Sequence, residues 1–75
     1  MTADTIEEFL HATPFKPFTV HMAEQTDVQV PHPDFAMLTK DGRVLVVNTE
    51  GSRVKHIDMF SISSISLAEE AGATA

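Results

Sequence analysis

Two short motifs hold the side chains best suited to chemistry. His32-Pro33-Asp34 and His56-Ile57-Asp58 each set an imidazole and a carboxylate two positions apart, which on an extended chain puts both on the same side. Imidazole nitrogen and carboxylate oxygen are ordinary donors to zinc and related cations, so two such pairs converging would make a metal site. Neither spacing is a recognised metal-binding pattern. Each pair also has a plainer use at a strand end, with Asp34 capping a turn and Asp58 opening the break before the last strand. No metal and no cofactor are therefore expected. Ser61, Ser63, Ser64 and Ser66 offer hydroxyls, but no strained elbow, evident acid partner or glycine-rich oxyanion loop accompanies them. No catalytic residue is assigned, and the chain reads as non-enzymatic. Of the three glycines, Gly42 and Gly51 are explained by hairpin turns, which leaves no loop to cradle a phosphate.

The cations are few. Lys16, Lys40, Arg43, Arg53 and Lys55 stand against 11 acidic residues, for a formal net charge of −6. That balance opposes approach to a polyanion unless the cations gather on one face. Arg43 and Arg53 flank the same pair of strands and are expected near each other, and self-assembly would collect Lys55 into a ring. No tyrosine or tryptophan is present to stack on bases. RNA is thus the disfavoured partner, and the acidity also opposes adsorption to anionic membranes. Asp4, Glu7 and Glu8 occupy the stretch where a secretory leader needs a basic start and an apolar run, so cytoplasmic residence is expected.

The elements that must position these residues turn on Pro14 to Met22. Before it, Asp4 or Thr5 can cap a short helix whose Ile6, Phe9 and Leu10 fall on one stripe, with Glu7, Glu8 and His11 facing away. Pro14 and Pro17 forbid its continuation. From Phe18 the pattern has period two, with Phe18, Val20 and Met22 on one face and Thr19 and His21 on the other, His21 facing solvent or a subunit contact. Asp27 to Val30 completes a first hairpin. Pro31-His32-Pro33 then bends the second strand, because proline cannot donate to a ladder, and Phe35 to Leu38 resumes it. Lys40-Asp41-Gly42-Arg43 reads as a tight reversed turn. Val44 to Val47, apolar on both faces, reads as a central strand buried on both sides. Arg53 to Ile57 follows, and Ile62 to Leu67 ends the sheet, with a bulge near Ser63-Ser64 needed to bring Ile62 to the same side as Ile65 and Leu67. Phe9, Phe15, Phe18 and Phe35 read as core and Phe60 as an interface residue. Met22, Met37 and Met59 read as gap fillers.

The result is an α+β chain: a short N-terminal helix, then a five-strand antiparallel meander that would close as an SH3-like or Sm-like small barrel. Residues 1–67 form one domain and 68–75 a flexible tail. At 75 residues without cysteine, neither disulfides nor thiolate-bound metal can supplement a thin core, so association of copies is a reasonable source of extra burial.

In element order, and in Lys55-His56 near the end of the fourth strand, the chain resembles the Sm-like fold, including the bacterial RNA chaperone Hfq. That resemblance implies a ring with Lys55 and His56 at a subunit junction beside an RNA-lined pore. Pro14-Phe15-Lys16-Pro17-Phe18, Val20-His21-Met22 and Val30-Pro31-His32-Pro33-Asp34 resemble a family of short bacterial proteins of unknown function. This second resemblance implies a complete bacterial chain and no particular activity. The expected role is a non-catalytic domain acting by protein association, as a homo-oligomer or with another protein, and the alternative is an Sm-like ring that binds RNA. The interaction residues expected are His32, Arg43, Arg53, Lys55, His56 and Phe60.

Overall fold

The computed structural model describes residues 2–67; the tail assigned to 68–75 lies outside them. Helix α1 (Ala3–Leu10) is capped by Thr2, not by Asp4 or Thr5: the Thr2 hydroxyl accepts from the Thr5 N–H at 3.4 Å. A cap must sit one residue before the first helical position, and the helix starts earlier than the apolar stripe suggests. Ile6 and Leu10 are buried, Phe9 is half-buried against Phe18 with ring centroids 5.3 Å apart, and His11 pairs with Glu7 on the exposed side at 2.7 Å. At eight residues α1 depends on this docking to persist.

Six strands follow, β1 (Phe18–Met22), β2 (Asp27–Val30), β3 (Ala36–Leu38), β4 (Val44–Asn48), β5 (Val54–Asp58) and β6 (Ile62–Leu67). The expected single bent second strand is two strands, because Pro33–Phe35 forms a 3-10 turn between them. Proline at the first position of that turn suits its fixed φ, and once paired ends are lost on either side the two halves join different sheets. The sheets have orders β2-β1-β6 and β3-β4-β5, all antiparallel. Their ladders do not close on one another among the described residues. The fold is α+β.

The turns follow local chemistry. Between β1 and β2, Met22 N–H donates to Thr26 O at 2.8 Å, and Gln25 takes φ 67. The Asp41-Gly42 connection is not a two-residue reversed turn, because only Gly42 has positive φ, at 72. Gly42 N–H closes on Thr39 O at 2.8 Å, and the Thr39 hydroxyl donates to Asp41 Oδ1 at 2.6 Å. Gly42 is also held close to α1, where an added Cβ would lie 3.0 Å from that of Ala3. Asp58 opens a second 3-10 turn, Met59–Ser61, by accepting from Phe60 N–H at 3.1 Å. Asp34 sits inside the first 3-10 turn, where no side-chain cap forms.

The inner faces of the two sheets make the core. Phe18, Val20, Met22, Val28, Val30 and Ile62 of the first sheet meet Leu45, Val47 and Ile57 of the second, and Ile6 and Leu10 of α1 join the same cluster. Phe15 and Phe35 pack at the margin. β4 lies at the centre of its sheet but is buried on one side only: Leu45 and Val47 are enclosed, Val44 and Val46 half-covered. Met37, beside Val46 in register, is 62% exposed and fills no gap. Among the described residues no helix is long and apolar enough to cross a membrane.

Ile6 is the helix side chain most fully enclosed. Ile6→Ala should lower the unfolding free energy by about 2–5 kcal/mol, a large share of what so small a domain has. Urea denaturation followed by circular dichroism checks this, and a loss below about 1 kcal/mol would mean the helix is not part of the core.

Candidate functional site

Strand geometry separates the expected interaction residues. Lys55 and His56 are consecutive on β5 and so project to opposite faces. Lys55 is half-buried on the side of Val47 and Ile57, and His56 is exposed on the side of Val46. Arg43 precedes β4, where Val44 pairs with Asp58. Arg53 precedes β5, where Thr49 N–H donates to Arg53 O at 3.0 Å. The two arginines therefore lie at opposite ends of the β4–β5 hairpin, about 20 Å apart at ~3.3 Å per residue, and do not form the basic pair expected. Flanking the same two strands is not enough, because antiparallel partners that each precede their strand stand at opposite ends of it. His32 is exposed and stacks obliquely with Phe35, centroids 5.5 Å apart. Phe60 is 88% exposed beside Arg43, Gly42 and Met59. The two His-x-Asp motifs do not converge: among the described residues no group of three or more histidine, aspartate or glutamate side chains could hold a metal ion.

The structure assembles a different polar cluster, on the outer face of the β2-β1-β6 sheet. His21 pairs in register with Asp27 on one side and Ser64 on the other. Its Nδ1 lies 2.9 Å from Asp27 Oδ1 and its Nε2 lies 2.7 Å from Ser66 Oγ. A carboxylate only accepts, so Nδ1 carries a proton, and in the neutral ring Nε2 is then the acceptor for the Ser66 hydroxyl. The β1–β6 register shifts between His21 and Met22 and passes over Ser63, whose hydroxyl donates to His21 O at 3.0 Å. His21 keeps a third of its side chain exposed. The serine acid partner not evident in the sequence is thus Asp27, reached through His21. Two signals could have located it: the hairpin turn closed by Met22 on Thr26, which sets 27 opposite 21, and the bulge near Ser63 that sets Ser66 diagonal to 21.

The environment of Asp41 changes its titration. The Thr39 hydroxyl, the Arg43 N–H at 3.0 Å and then the Arg43 charge hold its carboxyl below the ordinary aspartate value. This is turn chemistry, tying the β3–β4 connection together at the end where Arg43 and Phe60 stand.

The chain matches no protein-family model, no curated protein and no solved structure.

Because the Asp41 carboxyl is lowered on folding, the stability it contributes is fully present above the unfolded aspartate value of about 3.9 and is lost as pH falls through the lower folded value. Asp41→Ala should thus lower the melting temperature at pH 7, and the gap between the two proteins should close progressively as the pH is taken below about 4. A gap that persists unchanged in acid would show that the Thr39 and Arg43 bonds are not what the carboxylate contributes.

Proposed function

We propose that this domain is a non-catalytic, cytoplasmic module that works by associating with a second copy of itself through its last strand, within a small barrel of SH3-like or Sm-like type. The barrel reading is supported by strand order. The second sheet runs in meander order and the last strand returns to pair with the first, β2 and β3 are the two halves of one interrupted strand, and a 3-10 turn precedes the last strand.

The observation that carries the association reading is the contrast among the open edges. Strand edges present unpaired backbone groups, and proteins blunt them with proline, charge, shortness or bulges. β2 carries Asp27 and runs into Pro31; β3 has three residues between a proline-led turn and the Asp41-Gly42 connection; β5 carries Lys55 and Asp58. β6, Ile-Ser-Ser-Ile-Ser-Leu, is six residues long with neither proline nor charge. Its one irregularity lies at its start, which leaves 64–67 regular.

The direction of its backbone groups can be worked out. Met22 N–H and O both engage the Gln25–Thr26 turn on the β2 side. Alternation then turns the groups of His21 and Thr19 toward β6, facing Ser64 and Ser66. Ile65 N–H and O therefore point to the open edge, where an incoming strand would bond them. The resemblance to the short bacterial family and to Sm-like proteins is consistent with this reading. The competing RNA-binding ring would need Lys55 of several copies to overcome a net charge of −6.

Light scattering across a concentration series should give a mass above that of one chain. Ile65→Pro, whose one lost backbone group is an outward-facing donor and which is tolerated at an edge, should give the monomer. Ile65→Ala loses the same side chain but keeps the N–H and should still associate. A wild-type monomer at every concentration, or equal behaviour of the two variants, would sink the strand-addition reading. Oligonucleotide affinity that falls with salt and with Lys55→Ala would favour the RNA ring.

A further inference from the structure

The Asp27–His21–Ser66 chain has a consequence that does not depend on the association reading. We propose that Ser66 is an activated hydroxyl that accepts an acyl group from an activated ester or thioester, with His21 as the base and Asp27 as a positioning residue. The hydrogen-bond order is the one that makes serine nucleophilic elsewhere: carboxylate on Nδ1, serine hydroxyl on Nε2, at 2.9 and 2.7 Å. Asp27 fixes the tautomer that leaves Nε2 free to take the proton, and being directly opposite His21 in register it holds the ring across the strands. Ser66 lies on the same face, opposite Thr19, one diagonal step from His21.

The step is a substitution at carbonyl carbon. Ser66 Oγ forms a bond to that carbon, and the bond to the leaving oxygen or sulfur breaks with its electron pair on the departing atom. The hydroxyl proton passes to His21 Nε2 and from there to the leaving group or solvent. The Ser64 and Ser66 N–H groups are directed at β1, so neither is aimed at the developing oxyanion. Transfer is accordingly slow and the acyl-serine persists, which makes Ser66 an acceptor site and not the centre of an efficient hydrolase.

Ser63 and Ser64, on the same strand but without a bond to Nε2, are internal controls. The full chain is incubated with p-nitrophenyl acetate at neutral pH and followed by intact mass and peptide mapping. The expected product carries one acetyl group on Ser66, formed at least about tenfold faster than on Ser63 or Ser64, a modest share of what a positioned base can contribute. His21→Ala should bring Ser66 down to the rate of its neighbours. Asp27→Asn should lower the rate and Asp27→Glu restore part of it, a pattern that mere loss of packing would not give at a side chain 59% exposed. If His21→Ala fails to fold, the Asp27 pair decides. Uniform acetylation of the serines, acetyl retained on the imidazole alone, or a Ser66 rate indifferent to Asp27→Asn would each overturn the proposal.

Discussion

One extra residue in one strand organises the face and the core of the first sheet together. Along β1 and β6 the register runs Phe18 with Leu67, Thr19 with Ser66, Val20 with Ile65 and His21 with Ser64, then jumps so that Met22 faces Ile62. Ser63 is the residue passed over. Strand side chains alternate, so without the bulge either Ile62 or the Ile65–Leu67 pair would be forced onto the outer face. With it, Ile62 is buried opposite Met22, and Ile65 and Leu67 pack at the core margin. The same shift lifts Ser64 and Ser66 outward beside His21. The hydrophobic demand of three aliphatic residues thus decides where the serine hydroxyls go, and the polar cluster is a by-product of satisfying the core.

The second constraint is proline. Pro31 and Pro33 interrupt the ladder where a continuous strand would otherwise run from one sheet to the other, and the 3-10 turn that begins at Pro33 takes up the change of direction. The break weakens β3, the shortest strand, yet it frees the β3-β4-β5 sheet to pack its Leu45, Val47 and Ile57 face over the first. The core this produces is small and almost wholly aliphatic, with no buried polar side chain among the described residues. Specificity must then come from register and turns, since among the described residues no buried polar side chain selects one packing over another. The Thr39–Asp41–Arg43 network, the bulge and Gly42 against Ala3 supply it at the surface.

What could be read from the sequence divides along the same line. Period-two alternation located β1, β2 and β6, the helical stripe located Ile6 and Leu10, and the aliphatic clash at Ile62 called for the bulge that is found. Phe18 is enclosed and Phe60 exposed as expected. These are local signals, each carried by a few neighbouring residues. The failures are of two kinds. Helix start and turn type at Thr2 and Asp41 depend on which of several competent side chains wins a hydrogen bond, and composition does not rank them. The division of β2 from β3, the separation of Arg43 from Arg53, the one-sided burial of β4 and the exposure of Met37 depend on which strand lies beside which. The Asp27–His21–Ser66 chain combines both difficulties: residues 21 and 66 meet only through the non-local pairing of the first strand with the last.

The edge of β6 and the outer face of its sheet present different groups in perpendicular directions. Strand addition uses backbone N–H and C=O in the plane of the sheet, at Ile65 and Leu67; the imidazole–serine cluster uses side chains along the normal, at His21 and Ser66. Because antiparallel pairing alternates bonded and non-bonded positions, the residues whose backbones are free at the edge are those whose side chains point inward. The residues whose side chains are free on the face have their backbones tied to β1. A chain laid along the edge would therefore leave Ser66 open to reagent while crowding the end where Leu67 meets Phe18. An acyl group on Ser66 would enlarge the outer face without removing a single edge donor. The two surfaces are separable in chemistry although they share one six-residue strand, and that separability follows from the alternation established by the Ser63 bulge.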